Sequence, residues 1–359
     1  GTTGRLPSEQ QGGIVGIRNR TDNPRSVAAE KRIARGGLLV FVMEPDDFAD
    51  ERPERCMDRN KIKELWSLPL MELIQRADSV RRERVGAKLE LCSIRNAKSG
   101  QCSEDCKYCA QSVHHKTDVQ VYPLDSVDQM VQAAATAKDI GVQRFGIVTS
   151  GAALSHDEVA RVAEATSEIR SRIGIKVCGS LGILHQNDLQ LLKEAGMERY
   201  HHNIETSRRF FPYITTTHTF DDRIATIHAA RNVGMEVCSG GVIGLGETID
   251  DRIDMAICLR ELDVDSVPIN VLVPVKGTAL ENQALISCND VIRTLAIFRI
   301  VLGNKAIRLA AGRETVLKDF QALAFHAGAN AMLIGGYLTT RGRSVQEDHN
   351  LVAEVLASW

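Results

Sequence analysis

The chain has 359 residues, with 44 Lys+Arg against 46 Asp+Glu and a formal net charge of −2. A hydrophobic fraction of 43% and a charged fraction of 25% describe a globular protein of roughly one to three domains with a large buried core. Near-neutral charge and 4% aromatic residues remove the compositional case for nucleic-acid binding. No run reaches the ~18 apolar residues of a membrane-spanning helix, so neither nucleic acid nor membrane is an expected partner.

Nine cysteines, an odd count spread along a long chain, do not read as a secreted disulfide scaffold. A reducing, cytoplasmic setting is expected, with thiols available as metal ligands or core residues.

Residues 1–60 read as an irregular extension. Residues 1–36 hold seven basic residues against Glu9, Asp22 and Glu30, without a sustained period. Leu38–Val42 is a short apolar run and Glu44–Glu54 an acidic one. The acids count against an organelle presequence, and the favoured reading is a start assigned too far upstream, with Met43 or Met57 the natural first residue. Apolar residues from Leu65 to Val80 recur at spacings of three and four, predicting a helix over Lys61–Arg84 that Gly86 stops, hence a helical cap at 61–86.

Beyond it strands and helices alternate. Short apolar runs predict eight strands: Lys88–Ile94, Arg144–Thr149, Ile175–Leu181, Glu198–Ile204, Met235–Ile243, Ser266–Val273, Ala306–Ala310 and Ala331–Gly335. Amphipathic stretches lie between them, Asp125–Ile140, Ser155–Ile173, Gln186–Ala195, Asp221–Val233, Asp250–Leu262, Asn289–Val301 and Glu314–Ala327, with Val345–Leu356 after the last. Eight such units are expected to form a closed parallel (β/α)8 TIM-type barrel over 87–335, with 336–359 as a C-terminal segment and helix. The alternative, an open doubly wound sheet, usually carries a phosphate-binding glycine loop after its first strand, and none follows Ile94.

The segment after the first strand, Ser99–Cys109, carries Cys102, Cys106 and Cys109 in the spacing C-x3-C-x2-C. In a barrel this loop lies on the C-terminal face, where catalytic loops gather. Three thiolates there hold three corners of an iron–sulfur cube and leave the fourth iron open. Zinc with His114 or His115 as a fourth ligand is the alternative. A second set lies within predicted strands: Cys92, Cys178, Cys238 and the polar Asn270 between Ile269 and Val271. Any one of these cysteines reads equally well as a small core residue. Three in separate strands, with Arg313 just past the seventh, point to a second metal site. Cys56, Cys258 and Cys288 read as ordinary residues.

The C-x3-C-x2-C loop is the motif of radical S-adenosylmethionine enzymes, and the chain resembles one family among them, the biotin synthases. The resemblance runs in unbroken order from about residue 60 to 350. It is carried by Asn96–Ser112, Arg199–Ser207, Ile214–Thr219, Val237–Thr248, Val267–Asn270, Lys276–Thr278, Ala311–Glu314, Gly328–Asn330 and Tyr337–Thr340.

The resemblance implies that Cys102, Cys106 and Cys109 hold a [4Fe–4S] cluster whose open iron is chelated by S-adenosylmethionine. One-electron cleavage of that sulfonium then yields a 5′-deoxyadenosyl radical. Arg223 matches the family arginine that pairs with the methionine carboxylate. Glu205 stands where a shorter acid contacts the ribose hydroxyls. Thr149 and Ser150 line the methionine moiety, and Tyr108 and Ile243 border the adenine. Asn203, Asn270 and Thr339 are expected to reach the ureido ring or tail of dethiobiotin, with Asn203 also beside the cofactor. His201 stands where the family commonly has asparagine, another ureido contact.

The family's sulfur donor is an auxiliary cluster held by strand cysteines and an arginine. Many members have cysteine where this chain has Gly146. Cys92, Cys178 and Cys238, with Arg313 at or beside the metal, are the expected ligands, and the auxiliary cluster is [2Fe–2S] or larger. The expected activity is radical sulfur insertion into dethiobiotin by a homodimer served by a flavodoxin- or ferredoxin-type electron donor. The rivals are another radical barrel enzyme of the hydrogenase-maturase type and a non-catalytic metal-binding scaffold.

Overall fold

The computed structural model describes residues 57–338 and 342–359, so residues 1–56 of the expected extension, Cys56 among them, lie outside the described residues. The expected helix over 61–84 is two helices, α1 (Arg59–Trp66) and α2 (Leu70–Arg84). Pro69 causes the break, because it has no N–H to donate and pushes Leu68 out of helical geometry. Asp58 caps α1 by accepting from the Lys61 amide.

All eight expected strands are present. They are β1 (Glu90–Lys98), β2 (Arg144–Thr149), β3 (Lys176–Ser180), β4 (Arg199–His201), a fifth in two pieces, β5 (Glu236–Cys238) and β6 (Gly241–Ile243), then β7 (Ser266–Val271), β8 (Ala306–Leu309) and β9 (Ala331–Leu333). Every pairing is parallel. β1 pairs with both β2 and β9, and β7 joins β8 to the two halves of the fifth strand, so the ring closes. The expected barrel is the observed one.

The fifth strand breaks because other backbones cross it closely. A Cβ on Gly240 would stand 2.0 Å from Pro268 O, and one on Gly241 2.2 Å from Glu205 O. Glu205 bridges this gap, donating its amide to Gly240 O at 3.1 Å and accepting from Val242 N at 2.9 Å. It does so at φ 66, a left-handed conformation that costs a non-glycine residue about 1–2 kcal/mol.

The outer layer is α3 (Val127–Asp139), α4 (His156–Glu168), α5 (Gln186–Glu194), α6 (Phe220–Asn232), α7 (Ile249–Glu261), α8 (Cys288–Leu302), the short α9 (Arg313–Val316) and α10 (Gln321–His326), and α11 (Val345–Ala357). Ser126, Ser155, Thr219, Thr248 and Ser344 each open a helix with a reciprocal capping box. The expected helix over 314–327 resolves into α9, a 3-10 turn at Lys318–Phe320 and α10. α8 is buried along most of its length and packs against α2, which seats the helical cap on the barrel.

Strand alternation sends every second side chain into the lumen. The parity is set by ion pairs between non-adjacent strands, which only the lumen allows. Glu90 of β1 meets Arg199 of β4 at 3.0 Å, and Arg308 of β8 also reaches Glu90. On that parity Cys92, Gly146, Cys178, His201, Cys238 and Asn270 face inward, each two or four residues beyond a charged floor residue or on a strand in register with one.

Candidate active site

The lumen is layered. Its floor, at the N-terminal end, is a web of opposite charges. Arg199 Nε lies 2.8 Å and Arg144 Nη2 3.1 Å from Glu236 Oε2, and Arg144 is also in ion-pair range of Glu90 and Glu198. Arg144 Nε and Nη1 and Arg308 Nε are buried without a hydrogen-bond partner. Buried donors left in this state favour an anionic neighbour.

Directly above stand Cys92, Cys178 and Cys238, none in a disulfide and close enough to perturb one another. Burial pushes Cys92 upward, and pushes Cys178 to about 12. Burial acts the same way on Cys238, but His201, Arg308 and Arg199 overcome it and bring that thiol down to about 6. Arg308 Nη1 donates to Cys238 Sγ at 3.5 Å, and His201 Nδ1 lies 3.3 Å from the same sulfur. A Cβ at Gly146 would touch Cys178 Sγ at 3.2 Å, so the position where many family members place a cysteine faces this group. Three thiols, two buried and one half-buried, beside three arginines suit an anionic, sulfur-rich metal group.

The arginine beside these cysteines is not the expected one. Arg313 is turned away. Its guanidinium is 2.7 Å from buried Asp348 on α11, 3.3 Å from Leu333 O and 3.3 Å from Glu314, and it also donates to Gln321. Arg308, which the sequence reading passed over, takes the place beside Cys238. Two arginines five residues apart look alike in sequence, yet only the one within β8 has the inward parity.

The Cys102–Cys109 loop crowns the C-terminal end of β1. Its backbone is pinned from both sides. Cys102 N donates to Gln111 O at 3.0 Å and Val113 N to Cys102 O at 2.9 Å. Gln111 Oε1 accepts from Ser99 Oγ and from the Gly100 amide. Asp105 accepts from Thr215 Oγ1 at 2.7 Å, Thr216 N at 2.8 Å and Thr217 N at 3.2 Å, which outweighs its partial burial and holds its carboxyl far below the ordinary range. Glu104 reaches Thr217 and His218. The segment Ile214–Thr219 thus clamps the loop from the barrel's far side. This segment carries part of the resemblance, and its role is invisible in the sequence because its contacts lie more than one hundred residues away.

The three loop thiols are free. Burial pushes Cys106 up to about 12 and Cys109 to about 11, so both need a cation to ionise. A metal cluster supplies one. His114 and His115 instead brace the loop, with ring nitrogens 3.1 Å from Ser103 O and 2.8 Å from Cys109 O. Among the described residues no three His, Cys, Asp or Glu side chains are grouped for a single metal ion. With both histidines turned to backbone carbonyls, the loop offers three cysteines as donors, a set that suits three corners of an iron–sulfur cube.

Most of the expected cofactor residues gather next to this loop. Arg223, on α6, has Nη1 3.0 Å from Asn203 O and 3.4 Å from Glu205 Oε1, and donates from Nε to His218 Nε2 at 3.0 Å. Burial raises Tyr108 well above its ordinary value, and Glu205, Cys106 and Arg223 lie within its electrostatic reach. Thr149 Oγ1 is buried without a partner, an orphan that a bound ligand would satisfy. Ser150 is committed elsewhere, donating to Gly100 O at 2.7 Å. Ile243 is wholly buried at the end of β6.

Asn203 accepts from Gly240 N at 3.1 Å and donates to Glu205 at 3.4 Å. Asn270 donates to Gly241 O and accepts from Ala311 N, both at 3.2 Å. Thr339 lies outside the described residues.

A closed parallel barrel with a free three-cysteine loop at its C-terminal mouth defines a radical S-adenosylmethionine barrel enzyme. Residues 98–258 match the Radical SAM superfamily and residues 268–355 the Biotin and Thiamin Synthesis associated domain. The chain belongs to the biotin synthase family. It is 50% identical over 293 residues to the biotin synthase of Thermotoga petrophila, covering 81% of this chain and 97% of that protein. It is also 50% identical over 287 residues to that of Heliobacterium modesticaldum, covering 80% and 87%.

Among solved structures, the hydrogenase maturase HydG from Carboxydothermus hydrogenoformans superposes with TM-score 0.72 at 18% identity, covering 83% of this chain and 74% of that one. Methylornithine synthase superposes with TM-score 0.70 at 18% identity, covering 82% and 91%. Both likenesses concern the fold alone. Among the described residues no helix is long and apolar enough to cross a membrane.

Proposed function

We propose that this enzyme inserts sulfur into dethiobiotin to form biotin, with the loop cysteines and the lumen cysteines in separate roles. The observation that carries the reading is the stacking of two cysteine sets in one closed lumen, Cys102, Cys106 and Cys109 at its mouth and Cys92, Cys178 and Cys238 above its floor. When bound, the [4Fe–4S] cluster and S-adenosylmethionine supply one-electron chemistry that activates an unreactive C–H bond. Cys102, Cys106 and Cys109 hold that cluster. Arg223 takes the methionine carboxylate, Thr149 and Ser150 line the methionine, Glu205 meets the ribose, and Tyr108 and Ile243 border the adenine.

Cys92, Cys178 and Cys238, with Arg308 beside them, hold the auxiliary sulfur-donating cluster, [2Fe–2S] or larger. Dethiobiotin lies between the two sets, near His201, Asn203 and Asn270. The barrel wall contributes exclusion, since a carbon radical must meet only its intended partner. A homodimer, a flavodoxin- or ferredoxin-type electron donor and a cytoplasmic setting complete the proposal.

The test is anaerobic reconstitution with iron and sulfide, then reductant, S-adenosylmethionine and dethiobiotin, with mass spectrometry for 5′-deoxyadenosine and biotin. Both products are expected. Deoxyadenosine without biotin favours a maturase-type enzyme, and neither favours a metal-binding scaffold. Cys92→Ser is expected to lose the auxiliary iron and the biotin while keeping deoxyadenosine. Unchanged iron and sulfide in that variant removes Cys92 from the ligand set.

A further inference from the structure

Two acids lie inside the C-x3-C-x2-C loop, Glu104 and Asp105. Asp105 anchors the loop to the threonines, whereas Glu104 leads further. Its Oε2 accepts from Thr217 Oγ1 and meets His218 Nδ1. The other edge of the same ring, Nε2, accepts from Arg223 Nε at 3.0 Å. A guanidinium only donates and a carboxylate only accepts, so the imidazole is matched to its neighbours at both edges. From Arg223 the chain continues to Asn203 O at 3.0 Å and to Glu205 at 3.4 Å.

These links are shielded from bulk water. The side chains of Glu104, His218 and Arg223 are 14%, 6% and 11% exposed. Phe211 packs edge-on against the His218 ring with centroids 5.5 Å apart, and its own ring centre is 5.6 Å from the Arg223 guanidinium carbon. Hydrogen bonds to charged groups in such surroundings are strong and directional. Protein groups hold Arg223 at Nε and Nη1, and among the described residues no hydrogen bond engages its Nη2.

We propose that His218 is a positioning residue that ties the cofactor arginine to the cysteine loop. It closes the Nε edge of Arg223, so the methionine carboxylate is met at the Nη2 end. It also fixes that end relative to Glu104, which lies between Cys102 and Cys106. Glu104 thereby influences cofactor affinity without touching the cofactor. The inference deepens the proposed function and rests on its assignment of Arg223 to the methionine carboxylate.

A double-mutant cycle tests it. Affinity for S-adenosylmethionine is read by equilibrium dialysis of the radiolabelled compound against anaerobically reconstituted, oxidised full-length protein, so that no cofactor is cleaved. Values are expressed per loop cluster, counted by electron paramagnetic resonance of a reduced sample. H218N keeps a donor near Nδ1 but falls short of Arg223, and its Kd is expected to rise about tenfold, the worth of one hydrogen bond. H218Q reaches Arg223 with its carbonyl but loses Glu104, and E104A cuts that same link, so each is expected to raise Kd only about threefold. E104A combined with H218N is expected to match H218N alone, because the route from Glu104 is already cut.

A double variant near the product of the singles, about thirtyfold, overturns the proposal. Unchanged affinity in H218N or in E104A also overturns it, as do equal losses in H218N and H218Q, which mark a ring that only fills space. Arg223→Gln is the control. If it binds S-adenosylmethionine as wild type does, the carboxylate assignment and the inference fall together. If it loses affinity while H218N binds as wild type, only the role of His218 has failed.

Discussion

Gly146 shows how one side chain reshapes a site. Its backbone is ordinary for a strand, so the missing Cβ matters for space alone. A Cβ there would stand 3.1 Å from Ile94 Cγ2 and 3.2 Å from Cys178 Sγ, both of them movable side-chain atoms. Gly146→Cys should therefore fold, with overpacking of about 1–3 kcal/mol read as a lower urea midpoint. Loss of the native fold would show that the lumen has no slack there. The departure of Gly146 from the family pattern was legible in the sequence. That Cys92, on the neighbouring strand, joins Cys178 and Cys238 was an expectation, and the register that brings the three together is tertiary. Arg308 illustrates the limit, since nothing local distinguishes it from Arg313, and only the pairing of β8 with β7 and β9 sets its direction.

At the scale of elements, the cysteine loop depends on a partner segment. Asp105 is its main anchor, accepting from three successive threonines. Its folded pKa is depressed, so the stability it contributes is complete above the ordinary 3.8 and fades only as pH falls through the lower folded value. Across neutral pH the anchor stays ionised. Asp105→Asn keeps the shape but removes the charge from those bonds, each worth about 1.5–3 kcal/mol. The expected result is several-fold faster stripping of the loop iron by a chelator, together with a melting temperature lower by a few degrees. An unchanged stripping rate would show that the cysteines hold the loop without the clamp. The helices were legible from their capping residues and apolar spacing. The division of the fifth strand was not, because Pro268 and Glu205 enforce it from other strands.

For the whole molecule, the charged floor is the feature with the widest consequence. Burial works to raise Glu90, but Arg308, Arg199 and Arg144 overcome it and hold its carboxyl below the ordinary range. Removing it leaves three buried arginines short of a counter-charge. Glu90→Gln is expected to destabilise the barrel by about 2–4 kcal/mol, the upper figure for a buried pair reduced because Glu90 retains some solvent contact. Urea unfolding monitored by circular dichroism checks this, and a change under about 0.5 kcal/mol, the usual surface range, would assign the floor no structural weight.

The order of eight strands and eight helical stretches, the three-cysteine loop and its open-corner chemistry were all present in the chain, because periodicity and short-range spacing are local properties. Which charged side chains floor the lumen, which arginine meets Cys238, and that His201 lies against the Cys238 sulfur were decided by barrel closure. Closure brings residues 90, 199 and 308 into one charged floor and sets 238 against 308, and no local rule of sequence contains the shear that sets their register.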